Sequence, residues 1–227
     1  AYFEKGGCFS PAVNSFGISL WCRNSENDLI FKSENPSEND AGSRFTVTSR
    51  SIIPGVTTED EYFRQFIYLD KQQNWIFEIE PKAPDLILEI VFRSIGPSGG
   101  PVRQLEFVDD RIIINHLWEI ILDETPVEYG IFDESKQKNW KSSYNKETSI
   151  VSVDGWGAAR IRLKDSKKNT IQIRRLDKRL QDTNNITSIS DLDIKVPDNK
   201  FSDCLYSQIY HLAMGICAGE SRPGDPI

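Results

Sequence analysis

Short segments in which apolar and polar residues alternate run through most of the sequence, from Phe16 to Arg175. Successive side chains of an extended strand point to opposite faces, so a period of two is typical of strands with one buried face. Turns rich in Gly, Pro, Asn and Asp separate the segments. The pattern predicts strands over residues 16–22, 44–53, 62–69, 75–79, 84–95, 102–108, 111–118, 126–132, 148–153, 158–163 and 170–176.

No helical pattern interrupts these strands, which predicts antiparallel pairing rather than helical crossovers. Open sheets of this many strands are uncommon, so the expected fold is mainly β, an antiparallel two-layer β-sandwich. Hydrophobic residues make up 38% of the chain, enough for a core between two sheets. In the strand predicted over residues 84–95, alternation places Leu88 and Ile90 on the core face. Glu89 and Arg93 then lie on an opposite face that is expected to be partly wet.

A different pattern follows Pro197. Apolar residues recur there at intervals of three and four, which predicts a C-terminal α-helix over residues 201–217. Ser202 or Asp203 can cap its start, and Gly219 can end it. The apolar stripe of this helix consists of Leu205, Ile209, Leu212, Ala213 and Ile216. Such a stripe must pack either on the sandwich or against helices further along the polypeptide.

These patterns divide the chain into three parts. Residues 1–180 form the predicted β-sandwich domain, and residues 181–200 form a linker rich in Asn, Asp, Ser and Thr. Residues 201–227 form a helix and a loop that lead to a downstream helical domain. Residues 33–42 and 134–147 are expected to be exposed loops within the first part.

The sequence predicts no catalytic residue, no metal and no cofactor within the chain. His116, placed in a strand, and His211, placed in the helix, have no metal-ligating companions at ligand spacing. Cys8 has no evident base near it in the sequence. The neighbouring carboxylates Asp109 and Asp110 would point to opposite sides of an extended chain, so they fit a tight turn better than an acid pair.

Charge and hydropathy narrow the choice of partners. The formal net charge of −7 argues against nucleic-acid binding, and no apolar run of about 18 residues is present, so no membrane span is expected. Four cysteines in 227 residues do not form a disulfide framework, and Cys204 and Cys217 would lie far apart on one helix. This pattern favours a reduced, cytoplasmic protein, although the start at Ala1 leaves secretion open.

Two tryptophans are candidates for binding a sugar, because flat rings stack on the apolar faces of pyranoses. Trp140 lies in a polar loop, and Trp156 lies in the turn Asp154-Gly-Trp-Gly157. Buried packing is the alternative for both, since tryptophan in a sandwich usually belongs to the core.

The order of parts and two short motifs resemble a known family. The segment Asp203-Cys-Leu-Tyr-Ser-Gln-Ile-Tyr-His-Leu212 and the tail Glu220-Ser-Arg-Pro-Gly-Asp-Pro-Ile227 resemble the start of glucoamylase-like, six-hairpin glycoside hydrolases. In that family a β-supersandwich domain precedes an (α/α)6 catalytic barrel. The resemblance implies that the catalytic carboxylates lie after Ile227. It also nominates Arg222 and Asp225 as residues that reach a sugar, with an exposed inter-domain loop as the alternative.

Three hypotheses follow. The first is a non-catalytic amino-terminal sandwich of a glycoside hydrolase that acts on glucan-type oligosaccharides, with the downstream catalytic domain of the same polypeptide as its partner. The second is a stand-alone, lectin-like module that binds oligosaccharides through Trp140 and Trp156. The third is a structural or assembly β-sandwich protein.

Overall fold

The computed structural model describes residues 1–4, 6–34, 44–47, 55–70, 72, 74–177, 216–217 and 220–221. These residues form strands and turns and contain no helix. No helix in this part of the chain is therefore long and apolar enough to cross a membrane. The strands, numbered β1 to β18 along the chain, form a seven-stranded sheet, a nine-stranded sheet and a two-stranded ribbon. All strand pairs are antiparallel, as the sequence predicts for a two-layer sandwich.

The seven-stranded sheet has the order β1-β2-β3-β9-β15-β13, and β4 pairs with β3 beside β2. Its central strands β3, β9 and β15 come from distant parts of the sequence, so the centre of this sheet forms through long-range pairing. Its strands are β1 (Tyr2–Phe3), β2 (Phe9–Ser10), β3 (Gly17–Arg23), β4 (Leu29–Lys32), β9 (Ile87–Arg93), β13 (Glu128–Asp133) and β15 (Gly157–Arg162).

The nine-stranded sheet has the order β14-β10-β11-β12-β16-β8-β7-β6-β5, in which most neighbours are joined by short hairpins. Its strands are β5 (Arg44–Val47), β6 (Val56–Glu59), β7 (Phe63–Leu69), β8 (Trp75–Pro81), β10 (Gln104–Val108), β11 (Arg111–Ile114), β12 (Trp118–Leu122), β14 (Ser149–Val151) and β16 (Asn169–Arg175). The ribbon consists of β17 (Ile216–Cys217) and β18 (Glu220–Ser221).

One hydrophobic core joins the inner faces of the two sheets. Aromatic pairs connect the layers: the ring centroids of Phe16 and Trp118 are 5.9 Å apart, and those of Phe9 and Trp75 are 5.1 Å apart. Cys22 of β3 is fully buried in the same core. Burial of each large apolar side chain contributes roughly 1.5–3 kcal/mol, so this layer supplies most of the driving force for folding.

The hairpin between β10 and β11 confirms the predicted Asp109-Asp110 turn. Both residues have positive φ angles, 47° and 63°, as a two-residue type I′ connection requires. The single strand predicted over residues 111–118 is wrong, because a turn separates β11 from β12. Asn115 turns the chain there with a φ of 54°, and its side-chain oxygen accepts the backbone N–H of Arg103 at 2.8 Å. His116, expected in a strand, lies in this turn, since local side-chain hydrogen bonds outweigh the apolar pattern.

The predicted C-terminal α-helix is wrong where the structure describes it. Ile216 and Cys217 are paired as a strand with Glu220 and Ser221. The fold is therefore mainly β without the expected helix, while residues 178–215, including the proposed linker, lie outside the described residues. Only two residues separate Cys217 from Glu220, which is the spacing of a tight hairpin, and glycine punctuates hairpins as readily as helix ends. The spacing of the apolar residues could not distinguish a helix from a hairpin here.

Two glycines allow β3 to pass close to the segment that follows β9. A Cβ atom on Gly17 would lie 2.1 Å from the carbonyl oxygen of Ile95, and one on Gly96 would lie 2.4 Å from the Cα atom of Gly17. Backbone atoms occupy the space on both sides, so neither contact can be relieved by a side-chain rotation.

We expect Gly17→Ala to lower the free energy of unfolding by about 3 kcal/mol, because the new methyl group must displace backbone. In a chain of this size, that corresponds to a fall in Tm of roughly 6–12 °C, measurable by calorimetry. Gly99→Ala is the control, since a Cβ there meets nothing within 4 Å and only its positive φ of 64° opposes the change. Its expected effect is about 1 kcal/mol. Equal melting of the two variants would contradict the close approach.

Candidate functional site

Trp140 is buried beneath the surface of the loop that follows β13, with 3% of its area exposed. Its ring lies 5.5 Å from that of Trp21 and 6.1 Å from that of Phe132, in a small second core on the outer face of the seven-stranded sheet. The expectation that Trp140 is accessible is therefore wrong. Its flat faces pack against protein, so they are not open to a sugar.

Glu89 lies at the centre of a buried polar network on this same outer face, and only 1% of its area is exposed. The Nε atom of Arg23 donates to its carboxylate at 2.9 Å, and the Tyr144 hydroxyl donates to the other oxygen. Arg160, also 1% exposed, lies 4.0 Å from the carboxylate through Nε. Burial and the adjacent Glu89 charge raise the pKa of Tyr144, while burial lowers the pKa of Arg160.

The same arginines hold the loop over the sheet. Arg23 donates to the carbonyl oxygen of Lys141 at 2.6 Å, and Arg160 donates to the carbonyl oxygens of Lys141 and Ser143. A buried guanidinium needs several acceptors to replace its lost water, and these carbonyls supply them. The 134–147 segment, predicted to be an exposed loop, is thus partly a cover for the seven-stranded sheet.

A second group of charges lies beside Trp21. Arg93 donates to both oxygens of Glu134, at 2.9 and 2.7 Å, and lies 3.6 Å from Glu34. The indole N–H of Trp21 donates to Glu34 at 2.8 Å. Burial raises the pKa of Glu134, and the Arg93 charge acts in the opposite direction. A guanidinium lies between the two carboxylates, so they form an ion-pair triad rather than an acid pair that flanks an open site.

Sequence reasoning missed both groups, because the second face of the strand predicted over residues 84–95 was expected to be partly wet. The available signal was the presence of charged residues inside apolar strands, such as Glu89 and Arg93 in β9 and Arg160 in β15. Charges in the middle of a strand that is buried on both faces must pair with one another.

Trp156, in contrast, is exposed over 44% of its area. It follows Gly155, whose positive φ of 79° forms the turn between β14 and β15. Val151, in the edge strand β14, and Val153, in the turn that follows it, are exposed over 64% and 79% of their areas. We call Val151, Val153 and Trp156 the β14 edge.

The remaining nominated residues are not placed. Arg222 and Asp225 lie outside the described residues, as does His211. Among the residues that the structure does describe, no group of three or more His, Cys, Asp or Glu side chains could hold a metal ion.

A surface cleft of about 280 Å³ lies on the outer face of the nine-stranded sheet. It is formed by three neighbouring strands, β6, β7 and β8, whose alternate residues face outwards. The residues that line it are Thr57, Arg64, Phe66, Glu78 and Glu80. Sequence reasoning missed this group too, although each member occupies an outward position in its strand.

No protein-family model matches the chain, and no curated protein sequence matches it. Among solved structures, the fold is similar to part of a family GH92 inverting mannosidase from Bacteroides thetaiotaomicron VPI-5482, with a TM-score of 0.46 and 11% sequence identity. The similarity covers 91% of this chain and 27% of the mannosidase chain, so the chain spans about a quarter of that protein. At these values the likeness assigns no activity, and the glucoamylase-like part of the resemblance stays a prediction.

The Glu89 network gives a test of what holds the loop in place. We expect Arg160→Ala to lower the free energy of unfolding by about 3 kcal/mol, because it removes one of the two cations beside buried Glu89 and leaves the Ser143 carbonyl without its arginine donor. Arg162→Ala is a matched control on the same strand, since Arg162 pairs at the surface with Glu128 and is expected to contribute at most about 1 kcal/mol. Urea unfolding of both variants measures the difference. Similar midpoints would contradict the network's role.

The buried thiols give a second test. Burial raises the pKa of Cys8 to about 12 and also raises that of Cys22, so neither is a nucleophile at neutral pH. In a variant that carries Cys204→Ser and Cys217→Ser, we expect almost no reaction with Ellman's reagent at pH 8, where a thiol of this pKa is about 10⁻⁴ ionised. Both thiols should react once urea unfolds the chain. Rapid labelling of the folded variant would show that one of them is accessible.

Proposed function

We propose that this chain is a non-catalytic β-sandwich domain of a glycoside hydrolase that acts on glucan-type oligosaccharides. In this proposal the sandwich braces an (α/α)6 catalytic domain downstream in the same polypeptide, and the carboxylates of the reaction belong to that domain. The predicted helix at the end of the chain does not support the proposal, because Ile216 and Cys217 form a strand. The support comes from the surface of the sandwich itself.

The observation that carries the proposal is the β14 edge. Single exposed apolar residues are ordinary on a protein surface, but a tryptophan and two valines exposed within six residues, beginning in an edge strand, are typical of an interface. β14 is also the last strand in its sheet, so its outer backbone groups pair with no other described strand. A domain that packs against a neighbour in the same polypeptide would leave such an edge exposed when it is considered by itself.

The buried charges also suit a domain without a catalytic role. Within the described part of the chain, Glu34, Glu89 and Glu134 are each engaged by an arginine, and Cys8 is held as a thiol. Each of these groups therefore stabilises the fold. A reacting group would need access to a substrate, and the burial of this network prevents such access.

The alternative of a stand-alone, lectin-like module loses one of its two rings, because Trp140 is buried. The alternative of an assembly protein would use the same β14 edge to meet a second copy of the chain. Sedimentation distinguishes it from the preferred proposal, since an assembly protein would form oligomers without any downstream domain.

The experiment uses the parent polypeptide that the coding sequence specifies. We expect the reading frame to continue past Ile227, and the parent but not the 227-residue chain to hydrolyse malto-oligosaccharides. Val151→Asp and Trp156→Asp should lower the Tm of the parent by roughly 5 °C or more, because they place a charge in an apolar interface, and should leave the isolated chain within about 1 °C of its original Tm.

Val127→Asp is the matched control, since Val127 is exposed over 52% of its area but lies away from the β14 edge. It should leave both proteins unchanged. The proposal is overturned if a stop codon follows Ile227, or if Val151→Asp and Trp156→Asp leave the Tm of the parent unchanged.

A further inference from the structure

We propose that the cleft on the outer face of the nine-stranded sheet is a binding site for a neutral sugar. The site is built from Thr57, Arg64, Phe66, Glu78 and Glu80, and it stands apart from the β14 edge and from both nominated tryptophans. The inference does not depend on a downstream catalytic domain, because every contact that it uses lies within residues 55–80 or comes from Lys168, just before β16.

One wall of the cleft is a fixed aromatic ring. Phe66 stacks on Tyr68, with ring centroids 4.9 Å apart and planes 28° apart, so one of its faces is already covered. Phe66 also lines the cleft, where its ring is available to a ligand. The absence of a side chain at Gly55 makes room for this arrangement, since a Cβ there would lie 2.7 Å from the ring. A ring held on one side in this way is a preformed platform for the apolar face of a pyranose.

The polar groups lie directly across the sheet from the ring. Cross-strand register places Thr57 on one side of Phe66 and Glu78 on the other, while Arg64 lies opposite Glu80. A hydroxyl, two carboxylates and a guanidinium therefore surround one aromatic ring. Carboxylates accept hydrogen bonds from hydroxyl groups and the guanidinium donates to them, which is the set of partners that vicinal sugar hydroxyls require.

The charges of the cleft are nearly balanced, which favours a neutral ligand over an anion or a cation. Lys168 lies 2.9 Å from Glu78, and Arg64 lies 3.9 Å from Glu80. The Tyr68 hydroxyl donates to Glu78 at 3.2 Å, so the ring that supports Phe66 also orients the carboxylate. Arg64 and Glu80 are exposed over 56% and 44% of their side-chain areas, so their pairing is loose and both can turn towards a ligand.

The size of the cleft limits the ligand. A volume of about 280 Å³ lies just below the range for small-molecule pockets, roughly 300–1,000 Å³. The cleft therefore fits one or two sugar residues. The buried contact area is small, so we expect weak binding, with a dissociation constant on the order of 1 mM.

The test is an NMR titration of the 227-residue chain with maltotriose, cellotriose, mannotriose and xylotriose, each up to about 20 mM because binding is expected to be weak. At least one trisaccharide should shift the amide signals of Thr57, Phe66 and Glu78. Arg64→Ala and Phe66→Leu should each raise the dissociation constant about tenfold. Arg64→Ala changes an exposed side chain, so it tests the site even if Phe66→Leu loosens the fold.

Arg111→Ala is the matched control, because Arg111 is exposed over 52% of its side chain and lies on the same face of the same sheet, away from the cleft. It should leave binding unchanged. The proposal is overturned if none of the four sugars shifts these signals. It is also overturned if the shifts centre on Trp156 and disappear in Trp156→Ala.

The two proposals fail separately. If sugar binding depends on Arg64 but the coding sequence ends at Ile227, the proposed binding site is supported and the proposed hydrolase function is refuted. If the parent polypeptide hydrolyses the substrate but no sugar shifts the amide signals of the cleft, the hydrolase function is supported and the binding site is refuted.

Discussion

The arrangement of the molecule depends on how Glu89 is accommodated in the middle of the seven-stranded sheet. A carboxylate that is 1% exposed is strongly unfavourable unless cations and hydrogen-bond donors surround it. Arg23 and Tyr144 donate hydrogen bonds to Glu89, and the guanidinium of Arg160 lies 4.0 Å away. Arg23 and Arg160 also donate hydrogen bonds to the carbonyl oxygens of Lys141 and Ser143. The arginines that neutralise buried Glu89 therefore also hold the covering loop in place. With the loop in place, Trp140 packs against Trp21, and the sheet has a buried surface on each side.

The covering loop gives the two sheets different roles. Among the described residues, the inner faces of both sheets form the main core, the seven-stranded sheet has a second, smaller core on its outer face, and the outer face of the nine-stranded sheet is in contact with solvent. The cleft beside Phe66 and the strand β14, which contains Val151 of the β14 edge, both belong to that sheet. The seven-stranded sheet contributes stability, and the nine-stranded sheet contributes the surfaces on which both proposals rest.

Sequence reasoning succeeded where a local rule decides the outcome. The Asp109-Asp110 hairpin follows from the readiness of Asp to adopt positive φ angles in a two-residue turn, and the core face of β9 follows from alternation. It failed where two local rules compete, as at Ile216, where a helical period and a hairpin spacing both fit. It also failed for Trp140, because a polar loop is normally exposed, and nothing within the loop reveals that distant arginines hold it down.

The sequence by itself determined the class of fold and the faces that meet in the main core, because alternation and turn chemistry act over a few residues. Only the tertiary structure decided which second faces are buried and which outward residues become neighbours. Arg23, Glu89 and Arg160 are widely separated in the chain, and strand order alone brings them to one point. The same holds for the cleft: Thr57, Phe66 and Glu78 face one another because three strands pair in a particular register, and a shift of one residue would turn Phe66 into the core.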